Sequence, residues 1–102
     1  MVPIDVRFHP AAVDEVSAAV SWYQQRNPQA GIAFREAFGQ AIGRIESYPD
    51  SWPAYMYGTR RLLMRLFPFH VIYRVRRNSV EIIAVAHERR RPGYWASRSA
   101  SR

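Results

Sequence analysis

Residues 60–87, RRLLMRLFPFHVIYRVRRNSVEIIAVAH, decide the fold. Apolar and polar residues alternate there in three runs, Arg60 to Leu66, Phe69 to Arg77 and Val80 to His87, and period two is the signature of a strand with one buried face. Phe67-Pro68 and Asn78-Ser79 separate the runs, so the segment predicts two consecutive β-hairpins. A turn at Asn78-Ser79 sets Arg76 against Glu81, Arg74 against Ile83, Ile72 against Val85 and His70 against His87. The first hairpin sets Arg65 against His70, Leu63 against Ile72 and Arg61 against Arg74. One face then collects Leu62, Met64, Val71, Tyr73, Val75, Ile82, Ala84 and Ala86. The other carries Arg61, Arg65, Arg74, Arg76, His70 and His87 around an aliphatic strip of Leu63, Ile72, Ile83 and Val85, which is the expected partner-binding surface because an open apolar strip on a small protein invites cover.

Upstream of this segment the period changes. Ile4, Val6 and Phe8 alternate with Asp5 and Arg7 as a short strand that stops at His9-Pro10. Proline suits the first helical turn, and Val13, Val16, Val20 and Tyr23 follow at helical spacing, with Asp14 and Glu15 expected to complement the dipole at the amino end. Asn27-Pro28 ends this helix. Phe34, Phe38, Ala41, Ile42 and Ile45 form the stripe of a second helix that stops before Pro49. So short a connection makes the helices antiparallel neighbours. The predicted fold is α+β, in the order β-α-α-β-β-β, with an antiparallel αα-hairpin packed on one face of a small antiparallel sheet. Residues 1–95 are expected to form a single domain, and 96–102 a polar, frayed C-terminal tail.

At 102 residues, 48% hydrophobic and 14% aromatic, the chain can offset its folding entropy, which excludes a disordered protein. No window approaches the roughly 18 apolar residues of a membrane span, and the start has no signal-peptide pattern, so a cytoplasmic protein is expected. There is no cysteine, and His9, His70 and His87 lack metal-ligand spacing, so neither a metal nor another cofactor is expected. The net charge of +7 is carried by 15 arginines and no lysine. Residues 1–55 hold four arginines and six carboxylates, whereas residues 56–102 hold eleven against Glu81 and Glu88. Guanidinium groups grip carboxylates and phosphates in a fork, which suits an acidic peptide or a nucleic acid.

The element order, Trp22-Tyr23 late in the first helix, Ile45 to Pro49 closing the second, the run Arg60 to Val75, and Ala84-Val85-Ala86-His87 followed by Arg89-Arg90-Arg91-Pro92-Gly93-Tyr94-Trp95 together resemble the RelE/ParE superfamily of type II toxins. The resemblance spans nearly the whole chain. It implies a growth-inhibiting toxin held by a labile acidic antitoxin in a toxin-antitoxin hetero-oligomer. It also implies one of two targets. ParE-like toxins bind DNA gyrase and stall it, whereas RelE-like toxins cut ribosome-bound mRNA without a metal.

For the nuclease chemistry the resemblance points to His87 for proton transfer, Tyr94 for stacking on or orienting a base, and Arg65, with Arg61 and Arg89, at the phosphate. RelE-like nucleases place lysines around the first hairpin. Arginine reproduces their charge but not their acid-base work, so gyrase inhibition is the favoured expectation. The wider target- or phosphate-binding set is Arg61, Arg65, Arg74, Arg89, Arg90 and Arg91. A non-toxic basic binding module on the same fold is the remaining alternative.

Overall fold

The computed structural model describes residues 4–100. Residues 1–3 of the expected domain and 101–102 of the expected tail lie outside the described residues. Strand β1 (Asp5–Phe8) leads into helix α1 (Pro10–Arg26), and α2 (Pro28–Ser47) follows directly. Then come β2 (Ala54–Tyr55), a 3₁₀ turn at Met56–Gly58, β3 (Thr59–Leu63), β4 (Phe69–Arg76), β5 (Ser79–His87) and a short helix α3 (Ala96–Ala100). The five strands form one sheet in the order β1-β5-β4-β3-β2. The α+β architecture is as predicted. Two features add to it: β1 joins β5 in parallel at one edge, and the two-residue β2 lies against β3 at the other.

The caps explain why the helical hairpin is so abrupt. The His9 ring accepts a hydrogen bond from the Ala11 N–H at 3.0 Å, capping α1 ahead of Pro10. Asn27 then serves both helices. Its backbone N–H bonds to the Tyr23 carbonyl to close α1, and its side-chain oxygen accepts from the Gln29 N–H at 2.9 Å to open α2. Just beyond it, α1 and α2 approach so closely that a Cβ at Gly31 would stand 2.9 Å from Cβ of Gln24.

The core lies between this helical pair and the sheet. Ala12, Ala19 and Val20 of α1 and Phe34, Ala37, Ala41 and Ile45 of α2 pack on Leu62, Val71, Tyr73, Val80 and Ile82. Small residues on the helices bring them close to the strands. One end is closed by rings: Tyr23 stacks on Phe34 at 5.6 Å, and Phe67 and Phe69 meet Phe34 edge-on at 5.1 Å each. Such pairs add about 0.5–1.5 kcal/mol each beyond their burial. The buried Tyr73 hydroxyl donates to the Pro49 carbonyl at 2.6 Å, tying the sheet to the loop after α2.

Two local expectations are corrected. No acidic residue lies in the first turn of α1. Glu15 sits a turn further on, too far to complement the dipole, and instead reaches β5 and the C-terminal segment. The segment expected to fray after residue 95 is helical at Ala96–Ala100, because Arg98 is anchored on that same Glu15 at 3.0 Å.

Candidate functional site

The position of the site residues turns on one irregularity in the second hairpin. Its turn is Arg77-Asn78, with Asn78 at φ 60°, so Arg76 pairs with Ser79, Arg74 with Glu81 and Tyr73 with Ile82. The left-handed conformation that the turn requires is one that asparagine tolerates. This register differs by two residues from the expected one and keeps the same faces together. Between Ile72 and Tyr73 it shifts again: Ile72 pairs with Ala84, His70 with Ala86 and Phe69 with His87. Ile83 is the extra residue of a β-bulge, and a bulge reverses the facing of everything beyond it.

The consequences are corrections. His87 does not stand opposite His70. Val85 and His87 face the helices, while Ala84 and Ala86 face the other way. Val85 belongs to the main core and its N–H donates to Glu15 Oε1 at 2.9 Å. The His87 ring lies edge-on to Phe69 at 5.1 Å, and its Nδ1 accepts from the Arg89 N–H at 3.0 Å, which leaves the proton of the neutral ring on Nε2. It borders a groove of about 410 Å³ with Trp22, Tyr23 and Arg90.

The expected strip of Leu63, Ile72, Ile83 and Val85 is likewise not an open surface. Ile72, Ile83 and Ala84 are buried beneath Trp95, itself 1% exposed, with Tyr55, Met56 and Tyr94 around it. The chain's own C-terminal segment supplies the cover. Leu63 alone remains exposed, at 55%. In the first hairpin Arg61 pairs with Ile72 and Leu63 with His70, again two residues from the expected register with facing preserved.

Around this cover lies an outer cavity of about 210 Å³ that brings together Arg61, His70, His87, Glu88, Arg90, Arg91 and Tyr94. Arg61 lies over the Tyr55 ring at 4.3 Å and Arg90 over the Tyr94 ring at 3.8 Å. Burial pushes the His70 imidazole below its ordinary range, the Arg61 charge pushes it the same way, and Glu88 pulls it back. Its Nδ1 is buried without a partner.

Other site residues stand apart. Arg65 is exposed in the loop between β3 and β4 and borders cavities with Arg44. Arg74 donates to the Tyr57 carbonyl at 2.9 Å. Arg89 presents an exposed side chain beside the strand end. Of the residues expected for nuclease chemistry, His87, Tyr94 and Arg61 thus border one cavity, whereas Arg65 borders others and Arg89 borders none of these.

The most organised polar group lies outside the site residues expected from the sequence. Glu15 accepts from the Val85 N–H, from the Tyr94 hydroxyl at 2.6 Å and from Arg98 at 3.0 Å on each of its oxygens. Burial first, and then the bond to Glu15, raise the Tyr94 hydroxyl well above its ordinary range, so it keeps its proton. The signal was present: a carboxylate at position 15 falls on the same helical face as Ala12 and Ala19. Among the described residues the other ion pairs are the exposed Arg7–Asp5 at 2.8 Å and the loose Arg76–Glu81 at 3.8 Å. Arg60 and Arg74 donate to backbone carbonyls and Arg65 faces solvent, so these sheet-side charges form no ion pair with a carboxylate among the described residues.

A family model described as the ParE toxin of the type II toxin-antitoxin system parDE matches residues 6–92. The chain belongs to the ParE toxin family. This ParE-family chain is accordingly the toxin component of a type II toxin-antitoxin system, with a cognate antitoxin as its partner. A solved structure titled "Chromosomal ParDE TA system from P. aeruginosa" has the same fold, with a TM-score of 0.74 at 14% identity over 85% of this chain and 98% of that one. No curated protein matches the sequence.

Proposed function

We propose that this toxin inhibits growth by binding DNA gyrase in the ParE manner, without cleaving a substrate itself, and that an acidic antitoxin neutralises it. The observation that carries this reading is the engagement of Tyr94. Its hydroxyl is donated to Glu15 and its ring lies under Arg90, so neither the proton nor that ring face is free for a nucleotide. His87 shares a cavity with Tyr94 and Arg61, but its Nδ1 is taken up by the Arg89 N–H, and Arg65 borders other cavities. General acid-base catalysis needs its groups within hydrogen-bond reach of one reacting atom, and binding does not.

The unpaired arginines support the acidic partner, since a surface with this excess charge attracts an oppositely charged chain at long range. Arg61, Arg65, Arg74, Arg89, Arg90 and Arg91 are the proposed target- and partner-contacting cations. Among the described residues no helix is long and apolar enough to cross a membrane, and the proposed setting is the cytoplasm, where gyrase works.

Purified gyrase and relaxed plasmid test the reading. Saturating toxin is expected to suppress supercoiling or trap a cleavage complex, while ribosome-bound message in a translation reaction stays intact. Undiminished supercoiling without trapped DNA would refute it, and discrete cuts in the message would transfer the toxin to the nuclease branch.

A further inference from the structure

Away from the C-terminal cover, on the far side of His70, the fold leaves a cavity of about 480 Å³ bordered by Arg44 of α2, Arg61 of β3, Arg65 of the following loop, His70 of β4, and Trp52 and Met64. No carboxylate borders it. Three side-chain polar atoms among the described residues are buried without a hydrogen-bond partner, and two of them, Arg44 Nε and His70 Nδ1, belong to residues of this one cavity. Burial and the neighbouring Arg65 charge both press the Arg44 guanidinium below its ordinary range, as expected of cations gathered without a counterion. The Arg44 and His70 nitrogens find no hydrogen-bond partner among the described residues, and cations gathered in a cleft without a carboxylate leave a positive field open to an anion.

We propose that this cavity binds a phosphate monoester whose organic part is small and flat. Three guanidinium groups call for more than one negative charge. A phosphate monoester carries nearly two and presents three acceptor oxygens, enough to take N–H groups from the Arg44, Arg61 and Arg65 guanidiniums together, whereas a single carboxylate leaves donors unmet. The space is greater than a bare phosphate fills, and the Trp52 ring, fixed by its Nε1–H bond to the Arg44 carbonyl at 3.3 Å, offers a wall for a planar group. The site does not rest on the gyrase reading and is tested without gyrase.

The test is calorimetry and proton NMR on the full chain with adenosine 5′-monophosphate, inorganic phosphate, adenosine and succinate, all at matched ionic strength in chloride. The monophosphate is expected to bind more tightly than inorganic phosphate, with adenosine and succinate weaker than both. Arg65→Ala, an exposed position whose replacement spares the core, weakens both phosphates about tenfold, the size of a charge-assisted hydrogen bond. Arg44→Gln does the same, with its melting curve checked because Arg44 also touches Trp52.

The His70 ring faces Arg61, Arg44 and Arg65 on the cavity side and Glu88, Arg90 and Arg91 on the other. Bound phosphate is therefore expected to shift its titration to higher pH, and because the outer cavity of Arg90 and Arg91 also borders His70, the shift is expected to persist in an Arg90→Ala, Arg91→Ala variant and to shrink in Arg65→Ala. Succinate binding more tightly than the phosphates, Arg65→Ala binding them undiminished, or an unmoved His70 titration would each overturn the proposal.

Discussion

The Tyr94 hydroxyl donates a 2.6 Å hydrogen bond to Glu15 Oε2 across 79 positions of sequence. With Arg98 on the same carboxylate, it locks the C-terminal segment to the first helix. Glu15→Ala leaves a guanidinium, a phenol and the Val85 N–H without their acceptor, and is expected to cost about 3–5 kcal/mol, the range for breaking one member of a buried charged pair. Tyr94→Phe removes a single bond and costs about 1–1.5 kcal/mol. Urea unfolding midpoints measure both. On the proposed mechanism, Tyr94→Phe retains gyrase inhibition where the folded fraction is unchanged.

Trp95 covers Ile72, Ile83 and Ala84. Trp95→Ala is expected to cost about 3–5 kcal/mol, as for other large core truncations. It also uncovers the aliphatic residues beneath, so binding of an apolar dye should rise before unfolding begins. A variant that melts like the parent and binds no dye would show that the segment is not a cover.

The helical glycines separate by their surroundings. Gly31→Ala drives a methyl against Cβ of Gln24 at 2.9 Å and is expected to destabilise by about 1–3 kcal/mol, overpacking outweighing helix propensity. Gly39→Ala and Gly43→Ala meet nothing within 4 Å and should each stabilise by about 0.5–1 kcal/mol. Thermal melts of the three variants check the opposite signs.

At alkaline pH the tyrosines set the trend. Burial raises the Tyr73 hydroxyl from 10.0 to about 12, with Asp50 adding to the rise and Arg60 opposing it, and Tyr23 and Tyr94 shift in the same direction. The unfolded chain releases these protons near pH 10 while the folded chain retains them. The stabilisation is thus full below pH 10 and is lost as pH rises through 12. Unfolding midpoints should fall steeply across that interval. Tyr73→Phe should start lower, having lost its bond to Pro49, and fall less steeply.

Deleting Ile83 tests the bulge. Without the extra residue, Ala84 to His87 exchange faces, putting the Val85 and His87 side chains outward and two alanines against the helices. No cooperative unfolding transition is expected from the deleted chain. A native-like melt would mean that the strand tolerates either facing.

That bulge also marks where reading the sequence stopped being sufficient. The element order was legible because Val13, Val16, Val20 and Tyr23 keep one period and Arg60 to Arg76 another, and because His9-Pro10 and Asn27-Pro28 punctuate them. The run Ile82 to Ala86 is apolar throughout, so no alternation within it reports which residue is the extra one, and strict period two carried across it puts His87 on the wrong face. The cover by Trp95 was hidden for a related reason: a two-faced sheet end and an exposed strip give the same strand pattern. Ala54–Tyr55 is too short to announce a strand. Glu15 was readable as a carboxylate on an apolar face, but its partners are distant in sequence and only the fold assembles them.

Asn27 ends one helix and begins the next with no residue to spare. A joint of that kind leaves no loop between them, and with the Gly31–Gln24 approach beside it the two helices lie against each other from their first shared turn. Folding thus loses no chain entropy in closing a loop there, and the core that the pair builds on the sheet has that much less to offset.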